Sequence, residues 1–428
     1  MIKTVKLKTS AWRIILPVAA LVCLTGTFFF AKWAFANTIA LQAVSQSERV
    51  NPQEMVEFAV NLASSDPQTH YALAVLYDKS FVPDDRLKSL AEYEQATSLA
   101  PNDFRLWLAL GKARERSGDA AGAENALRKT VSLAPNYSQV RWTLGNILLR
   151  QGKTVEAFAE IRQAAENDVT YATPAVSTAW QTFDGDVSQV KQNLGDSSQA
   201  KAALAVFAAK QKRFDEAFEI WNSLPDAEKK IVFKQSSDEL FNLLLEAKKY
   251  RTALQIQKQI NETANFSVGK ISNGNFESNE KTAQKSIFEW QIADGAQPQI
   301  GVDNQQKHGG NNSFGFVFNS PTGKDFREFS QTVAVESGQK YIFETFYKTE
   351  LKTSATLRWE ITDAVGGKVL AATDAVSANA DWTNLKTEFT APSNSEAVII
   401  RLVREQCKSA VCPISGRVWF DDFNLTGN

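Results

Sequence analysis

Few side chains in this 428-residue chain could support histidine-dependent or metal-dependent catalysis. It has two histidines, His70 and His308, and neither lies in a recognisable catalytic or metal-binding motif. His70 falls at the start of a predicted helix and His308 in a predicted turn before Gly309 and Gly310, so we expect loop or surface roles. The sequence also lacks a nucleophile elbow, a P-loop and an H-E-x-x-H motif. We therefore predict that the protein has no catalytic residues and is not an enzyme.

One of the three cysteines lies near the N-terminus, and the other two lie close together near the C-terminus. Cys23 lies in an apolar run, whereas Cys407 and Cys412 lie five positions apart near the C-terminus. A cysteine metal knuckle needs tighter spacing and a second pair, which the sequence does not contain. We predict a local disulfide between Cys407 and Cys412, provided that the compartment is oxidising.

Length and composition indicate a globular protein of two or three domains. Charged residues make up 22% of the chain, hydrophobic residues 43%, and the formal net charge is -1. This balance is typical of chains that bury a core and excludes a largely disordered protein. With no basic cluster in the body of the chain, we expect no nucleic-acid partner.

Basic residues precede a long apolar run at the N-terminus. The run from Ile14 to Ala31 carries no charge and is about long enough to cross a bilayer. We predict a basic cytoplasmic tail at 1–13 and a transmembrane signal anchor at 14–36. The remaining chain would lie on the periplasmic or extracytoplasmic side of the inner (plasma) membrane. The basic flank, which should stay in the cytoplasm, comprises Lys3, Lys6, Lys8 and Arg13.

A cleaved signal peptide is the alternative interpretation of the same segment. Ala34, Phe35 and Ala36 form an A-x-A cleavage pattern. The apolar run is longer than a usual signal-peptide core, and Lys32 and Trp33 crowd the cleavage region. These features favour a retained anchor.

An internal repeat follows in a helical, alanine-rich region. Ser98 to Pro101 recurs as Ser132 to Pro135, so the step from one proline to the next is 34 residues. Leu110 and Gly111 recur at the same step as Leu144 and Gly145, and Gly118 recurs as Gly152. Weaker copies cover Leu73 to Pro101, Ala203 to Pro225 and Phe241 to Ile260. We expect about five helical hairpins, with an irregular stretch at Thr170 to Ser198.

These residues resemble the tetratricopeptide repeat. The resemblance implies that glycine and alanine let paired helices approach closely while a large residue fills the groove beside them. It also implies that residues 37–264 form an α-helical superhelix whose concave groove binds partner proteins, with a simple spacer as the alternative. The aromatic position shifts by one in the second clear repeat, to Trp142. The repeat-packing residues are Trp107, Leu110, Gly111, Gly118, Ala123, Leu127, Pro135, Leu144, Gly145, Gly152, Ala157, Ile161 and Ala164.

The composition changes near residue 265, where strands of alternating pattern replace helices. Tyr341, Phe343 and Tyr347 alternate with Glu344 and Phe346, for example. About eight short strands separated by glycine turns predict an antiparallel β-sandwich at 265–428, in a jelly-roll arrangement. The fold class is therefore multidomain α + β, with a transmembrane helix, a helical repeat region and a β-sandwich.

The opening motif Asn273 to Glu277 and the closing motif Trp419 to Leu425 resemble carbohydrate-binding modules of the family 4, 9 and 22 type, which have a galactose-binding-domain-like fold. The resemblance implies a structural calcium ion held by Glu277 and Asp422, with Asn275 and Asp421 as contributors. The alternative is that Glu277 is a solvated charge at a strand end.

Trp290, Trp359 and Trp382 are the candidate sugar-stacking residues of the sandwich, although each could instead be a core residue. We predict a non-catalytic, membrane-anchored envelope protein that scaffolds partner proteins through its repeats and is linked to exopolysaccharide or O-antigen assembly or export. The alternative is a glycan-binding protein in which the sandwich recognises a polysaccharide and the repeats only position it.

Overall fold

The structure is a computed structural model that describes residues 12–45, 51–80, 82–261, 265–278, 286–323, 326–405, 407 and 411–427. Lys3, Lys6 and Lys8 of the predicted cytoplasmic tail lie outside these residues. The chain divides into two compact units, Met1–Ala200 and Lys201–Asn428.

The first unit is helical. Its helices are α1 (Trp12–Ser45), α2 (Pro52–Leu62), α3 (Pro67–Lys79), α4 (Pro83–Leu99), α5 (Phe104–Arg116), α6 (Ala120–Leu133), α7 (Ser138–Arg150), α8 (Thr154–Asn167), α9 (Ala172–Thr182) and α10 (Val187–Leu194). Helix α11 (Ser198–Lys210) begins at the end of this unit. The helices of the second unit that follow it are α12 (Phe214–Asn222), α13 (Asp226–Ile231), α14 (Lys234–Glu246) and α15 (Tyr250–Ile260).

Helix α1 has two differently packed halves. Its segment from Ile14 onward is long and apolar enough to cross a membrane, and the large apolar side chains up to Phe30 are exposed. From Ala36 onward the same helix is packed, because Ala36, Ala40 and Ala43 are buried in a cluster with residues of α2 and α3. The apolar run therefore continues as one helix into the packed part of the unit.

Glycines at the 34-residue step allow close contact within each clear repeat. A Cβ atom on Gly111 would lie 2.7 Å from Cγ of Leu127, and one on Gly145 would lie 2.6 Å from Cγ1 of Ile161. Since real Cβ atoms do not approach so closely, α5 packs on α6, and α7 on α8, only with glycine at these positions. Leu110, Ala123, Leu127, Leu144, Ala157, Ile161 and Ala164 are all buried.

The displaced aromatic of the second repeat has a structural explanation. Trp107 Nε1 donates to the carbonyl of Pro101 at 2.9 Å. Arg141, at the equivalent position, donates through Nε to the carbonyl of Pro135 at 2.5 Å. Arg141 thus replaces the tryptophan as the hydrogen-bond donor, and Trp142 packs against Tyr171 instead.

A left-handed turn residue joins the helices of five hairpins among the described residues. It is glycine at Gly118, Gly152 and Gly185, whereas Lys212 and Lys248 take the same conformation with φ of 63° and 62°. Only glycine adopts this region without steric cost, so the lysine turns are hard to recognise from sequence. The stretch Thr170 to Ser198, expected to be irregular, forms the hairpin α9–α10, because Gly185 and Gly195 fall outside its helices and Pro174 falls in the first turn of α9.

His70 is buried within α3, which corrects the expectation of a loop or surface role. Its Nδ1 lies 2.5 Å from Oε2 of Glu92, and its Nε2 lies 2.8 Å from the carbonyl oxygen of Ser64. The hydrogen bond to Glu92 raises the pKa of His70 above its ordinary value, although burial opposes it. His70 therefore joins α3 to α4 as a partly buried ion pair when it is protonated.

Two five-stranded antiparallel sheets form the sandwich. One sheet has the order β1-β4-β9-β6-β7 and the other β2-β3-β10-β5-β8. The strands are β1 (Gln291–Ile292), β2 (Gln299–Asp303), β3 (Ser313–Ser320), β4 (Phe329–Ala334), β5 (Lys340–Thr353), β6 (Leu357–Asp363), β7 (Val369–Ala372), β8 (Asn379–Thr390), β9 (Ala397–Arg404) and β10 (Ile414–Gly427).

An aromatic core fills the space between the sheets. Trp359 is fully buried and contacts Phe420 and Phe423 edge-on, with ring centroids 5.2 Å and 4.8 Å away. Trp290 stacks on Phe329 at 4.6 Å. Such pairs add stabilisation beyond the burial of their area, so the core fixes how the two sheets face each other.

The last helix packs on the sandwich within the second unit. Helix α15 lacks a side-chain cap of its own, and Oε2 of Glu396 accepts a hydrogen bond from the Arg251 amide at 3.0 Å. Arg251 Nη1 also donates to Oε2 of Glu336 at 2.5 Å, and the Tyr250 hydroxyl donates to the carbonyl of Ala364 at 3.3 Å. A sandwich carboxylate thus caps a repeat helix, which helps to explain why these helices and the sandwich form one unit.

The His70 pair predicts a pH dependence of stability. A raised pKa means that the folded state binds the proton more tightly, so the stabilisation is complete below the ordinary histidine pKa and is lost as pH rises through the folded value. We expect His70→Asn to destabilise the first unit by about 1–2 kcal/mol at low pH, with the difference shrinking towards alkaline pH. Thermal melting of the full chain across about pH 5.5 to 8.5 checks this, with Glu92→Gln as a matched variant. A gap that is equal at every pH would contradict it.

Candidate functional site

A buried carboxylate holds the loop between β2 and β3, residues 304–312, which we call the clamped loop. Asp421 has no exposed surface. Its Oδ2 accepts hydrogen bonds from the amides of His308 at 2.9 Å and Gly309 at 3.1 Å, and its Oδ1 accepts one from the amide of Asp422 at 2.8 Å. Burial raises the pKa of Asp421, while the three N–H donors oppose that rise.

Glu277 holds the other end of the clamped loop. Its Oε1 accepts from the amides of Asn311 at 2.6 Å and Asn312 at 2.9 Å, and these bonds lower the pKa of Glu277. Gly310 has a φ of 54°, and a Cβ atom there would lie 2.3 Å from Oε1 of Glu277. Glycine is therefore required where the loop crosses this carboxylate.

A bulge in strand β10 places the adjacent carboxylates of Asp421 and Asp422 at the clamped loop. The register of β10 against β5 shifts between Asp421 and Asn424, and Asp422 has a φ of 49°. The amide of Phe423 donates to the carbonyl of Gly274 at 2.9 Å, so the opening segment runs beside this bulge. The two ends of the sandwich sequence thus meet at the loop.

An aromatic stack lies beside the clamped loop on the face of β5 and β8. The His308 ring stacks on Phe346 with centroids 3.8 Å apart and an interplanar angle of 12°, and Trp382 lies 5.7 Å from the same histidine. His308 Nδ1 lies 2.7 Å from Oδ2 of Asp422. We call His308, Phe346 and Trp382 the aromatic stack, and all three are partly exposed.

Charged and amide side chains surround the aromatic stack in pairs. Lys386 forms a salt bridge with Glu344, and Lys348 forms one with Asp381, each at 3.1 Å. Asn384 lies opposite Phe346 in the strand register. A cavity of about 1220 Å³ opens next to them. Its polar lining includes Asn275, Glu344, Asp422 and Asn424, and its apolar lining includes Phe276 and Phe346. A partly exposed aromatic surface with paired polar groups suits a neutral ligand that has both apolar and hydroxyl faces.

The structure corrects two of the predicted sugar-stacking residues. Trp359 is fully buried and Trp290 is 5% exposed, so neither ring can offer a face to a ligand. Of the three candidates, Trp382 is the partly exposed one. Sequence reasoning missed Phe346 and His308, although the outward phase of Phe346 in β5, between inward Thr345 and Tyr347, was a usable signal.

Three of the four residues expected to bind calcium contact the clamped loop, since Glu277 and Asp421 accept its amides and Asp422 contacts His308. Among the described residues, no three or more Asp, Glu, His or Cys side chains lie close enough to share a metal ion. Oxygens of Glu277 and Asp421 already accept N–H bonds, Asp422 contacts His308, and Asn275 is exposed. Calcium takes six to eight oxygen ligands, which include backbone carbonyls and amide side chains as well as carboxylates, and calcium binding stays a prediction.

Cys407 and Cys412 are joined by a disulfide, with their Cα atoms 6.0 Å apart. The bond closes the connection between β9 and β10. It lies beside Arg404 at the end of β9, whose side chain also contacts the turn between β5 and β6.

The clamp predicts how the loop exchanges its amide hydrogens. We expect Glu277→Gln to speed amide exchange in the clamped loop, because a neutral amide accepts the N–H bonds of Asn311 and Asn312 more weakly than a carboxylate does. Exchange in β5 and β8 should not change. Hydrogen–deuterium exchange of the full chain, read by mass spectrometry, measures this.

Glu328→Gln is the control for this variant, because Glu328 is exposed and lies next to the other sheet. Unchanged exchange in the clamped loop would contradict the clamp. Repeating the measurement with calcium and with chelator tests the calcium prediction separately, since protection that needs calcium and Glu277 together would establish an ion site.

Comparison with known proteins identifies the helical repeats. A family model described as the tetratricopeptide repeat matches residues 85–138 and 108–171. The peroxisomal targeting signal receptor of Saccharomyces cerevisiae is 27% identical over 92 residues, which is 22% of this chain and 14% of the receptor. The match therefore spans about a seventh of that protein.

Solved structures resemble portions of the chain at low sequence identity. A structure described as CBM4 is 18% identical, covers 37% of this chain and 99% of its own, and has a TM-score of 0.28. TmCBM61 in complex with beta-1,4-galactotriose is 17% identical, with coverage of 38% and 100% and a TM-score of 0.29. MamA of Desulfovibrio magneticus RS-1 is 13% identical, with coverage of 38% and 90% and a TM-score of 0.33.

Likenesses at these scores carry no functional conclusion for this chain. The repeat assignment depends instead on the family model and on the glycine contacts that recur at the 34-residue step. Residues 85–171 thus match the tetratricopeptide repeat, and the same chain carries an antiparallel β-sandwich.

Proposed function

We propose that this protein is a non-catalytic scaffold of the cell envelope, anchored by α1 in the inner (plasma) membrane with the bulk of the chain on the extracytoplasmic side. The repeats bind partner proteins, and the sandwich works beside an exported polysaccharide. Exopolysaccharide or O-antigen assembly or export is the setting in which such a protein would act.

The observation that carries this proposal is the division of α1. Exposed apolar side chains from Ile14 to Phe30 suit a lipid environment, whereas Ala36, Ala40 and Ala43 belong to the packed helices. Cleavage after Ala36 would remove a buried residue of that cluster and the whole preceding part of the helix. The packing therefore favours an anchor that is retained and that holds the first repeat helices near the membrane.

The surface proposed for partner proteins lies on the first helices of the two clear repeats. Leu108 and Lys112 of α5 correspond, at the 34-residue step, to Trp142 and Asn146 of α7. All four are half-buried, and positions four apart lie on one face of a helix. We call these residues the first-helix surface. Apolar groups interleaved with polar ones at regular spacing suit an extended or helical peptide.

Site-specific photo-crosslinking tests this surface. We expect a photoreactive amino acid at Leu108 or at Trp142 to give a defined adduct in intact cells, because both positions would touch the same partner. Val155, which is 81% exposed on α8, is the control position. Adducts of equal yield at Val155, or none at either first-helix position, would contradict the assignment.

Saccharide recognition by the sandwich is the second candidate function, and the aromatic stack favours it. Sugar rings present an apolar face that packs on aromatic rings and a rim of hydroxyls that hydrogen-bond to carboxylates and amides. Trp382 and His308 supply the rings, and Asp422 and Asn384 lie within or beside the stack. Since the nearby lysines and acids are paired with each other, a neutral polysaccharide fits better than a uronic acid polymer.

Affinity measurements with neutral polysaccharides separate the two candidates. If the sandwich recognises a saccharide, Phe346→Ala and Trp382→Ala should each weaken binding by about fivefold to tenfold, the value of one lost aromatic contact. Calorimetry on the detergent-solubilised full chain, with neutral and uronic acid polymers, gives these values.

Phe326→Ala is the matched control, because Phe326 is also a half-buried phenylalanine of the sandwich but stacks on Phe318 instead. An equal loss in this variant would contradict the assigned site. A folded chain that binds no polymer in the panel would leave the sandwich without a saccharide role.

A further inference from the structure

Arg404 lies at the closed end of the β9–β10 connection and has no acidic partner among the residues that the structure describes. Nη1 of Arg404 donates to the carbonyl of Gly323 at 2.8 Å, and Nη2 donates to Oγ1 of Thr353 at 3.1 Å and to the carbonyl of Cys412 at 2.6 Å. Among the described residues, the groups that accept from this guanidinium are all neutral. Burial lowers the pKa of Arg404, as expected for a cation that lacks a counter-charge.

The same guanidinium points at one sulfur of the disulfide. Nη2 of Arg404 lies 3.2 Å from Sγ of Cys412, and the hydroxyl of Ser354 lies 3.7 Å from that sulfur. Cys412 is 4% exposed, whereas Cys407 is half-buried. The two sulfurs therefore differ in both access and charge environment.

We propose that Cys407 is a thiol-exchange site, at which a thiolate from outside forms a mixed disulfide while Arg404 stabilises the released sulfur of Cys412. The incoming thiolate attacks Sγ of Cys407, a new sulfur–sulfur bond forms there, and the bond between Cys407 and Cys412 breaks. The electron pair of the broken bond stays on Sγ of Cys412 as a thiolate. No oxidant is consumed, because one disulfide replaces another.

The position of Arg404 and the exposure of each sulfur both favour attack on Cys407 and release of Cys412 as the thiolate. A thiolate leaves more readily when its pKa is low, and a neighbouring cation lowers the pKa of a thiol. Release of Cys412 would also give Arg404 the counter-charge that it lacks in the disulfide form. Attack on Cys412 is disfavoured because that sulfur is buried and because the thiolate released from Cys407 would lack the arginine.

Glutathione is a suitable probe of this site. The full chain in detergent, carrying Cys23→Ala to remove the remaining cysteine, is equilibrated with reduced and oxidised glutathione and then alkylated. Peptide mass spectrometry locates the adducts. We expect glutathione on Cys407 and the alkyl label on Cys412, with the opposite pattern at least about tenfold rarer. Equal partition, or a preference for Cys412, would overturn the proposal.

Two arginine variants test the part played by the charge. Arg404→Gln should slow adduct formation on Cys407 by about tenfold, whereas Arg404→Lys, which keeps the charge, should retain most of the rate. An equal rate in all three chains would overturn the role of Arg404. If either variant fails to fold, the partition of glutathione in the chain with Arg404 intact still decides the proposal, since that measurement needs no change at Arg404.

Discussion

The proposed saccharide-binding face of the sandwich depends on the hydrogen bonds that Asp421 accepts. A carboxylate without exposed surface is costly unless its oxygens are bonded, and here three backbone amides bond them. Two of those amides belong to the clamped loop. If the loop moved away, the buried carboxylate of Asp421 would lose both of these hydrogen bonds. The same contact places the His308 ring over Phe346 and beside Trp382. The proposed saccharide surface is therefore a consequence of one buried carboxylate and a strand bulge.

A different constraint organises the helical repeats. Gly111 and Gly145 each lie against a large side chain, Leu127 or Ile161, and this close contact recurs at the 34-residue step. Because the packing is set by glycine and its large partner, the outward residues of α5 and α7 are free to vary in chemistry. At the N-terminal end, one helix passes from an apolar exposed segment into this packing, which couples the proposed anchor to the repeats.

Features that repeat along the chain could be predicted from the sequence, whereas contacts between residues far apart in the chain could not. The repeat step and the alternating strands predicted both folds, because a 34-residue period and a two-residue period each need only local pattern. Two helical hairpins were hard to recognise in the sequence because Lys212 and Lys248 occupy turn positions that usually need glycine. The aromatic stack was missed because the clamp joins His308 to a strand far along the chain. Trp290 and Trp359 were wrongly offered as sugar-stacking residues, since residue type does not reveal which face of a strand is inward.

The most direct measurement of the central claim is the saccharide affinity of the Asp421→Asn variant. This change keeps all three residues of the stack but replaces one acceptor oxygen with an NH2 donor, so at least one of the three backbone amides loses its acceptor and the hold on the clamped loop weakens. If the clamp positions the stack, affinity for the neutral polysaccharide should fall about as far as it does in Phe346→Ala. An affinity equal to that of the unaltered chain, in a folded variant whose loop amides exchange faster, would contradict the account.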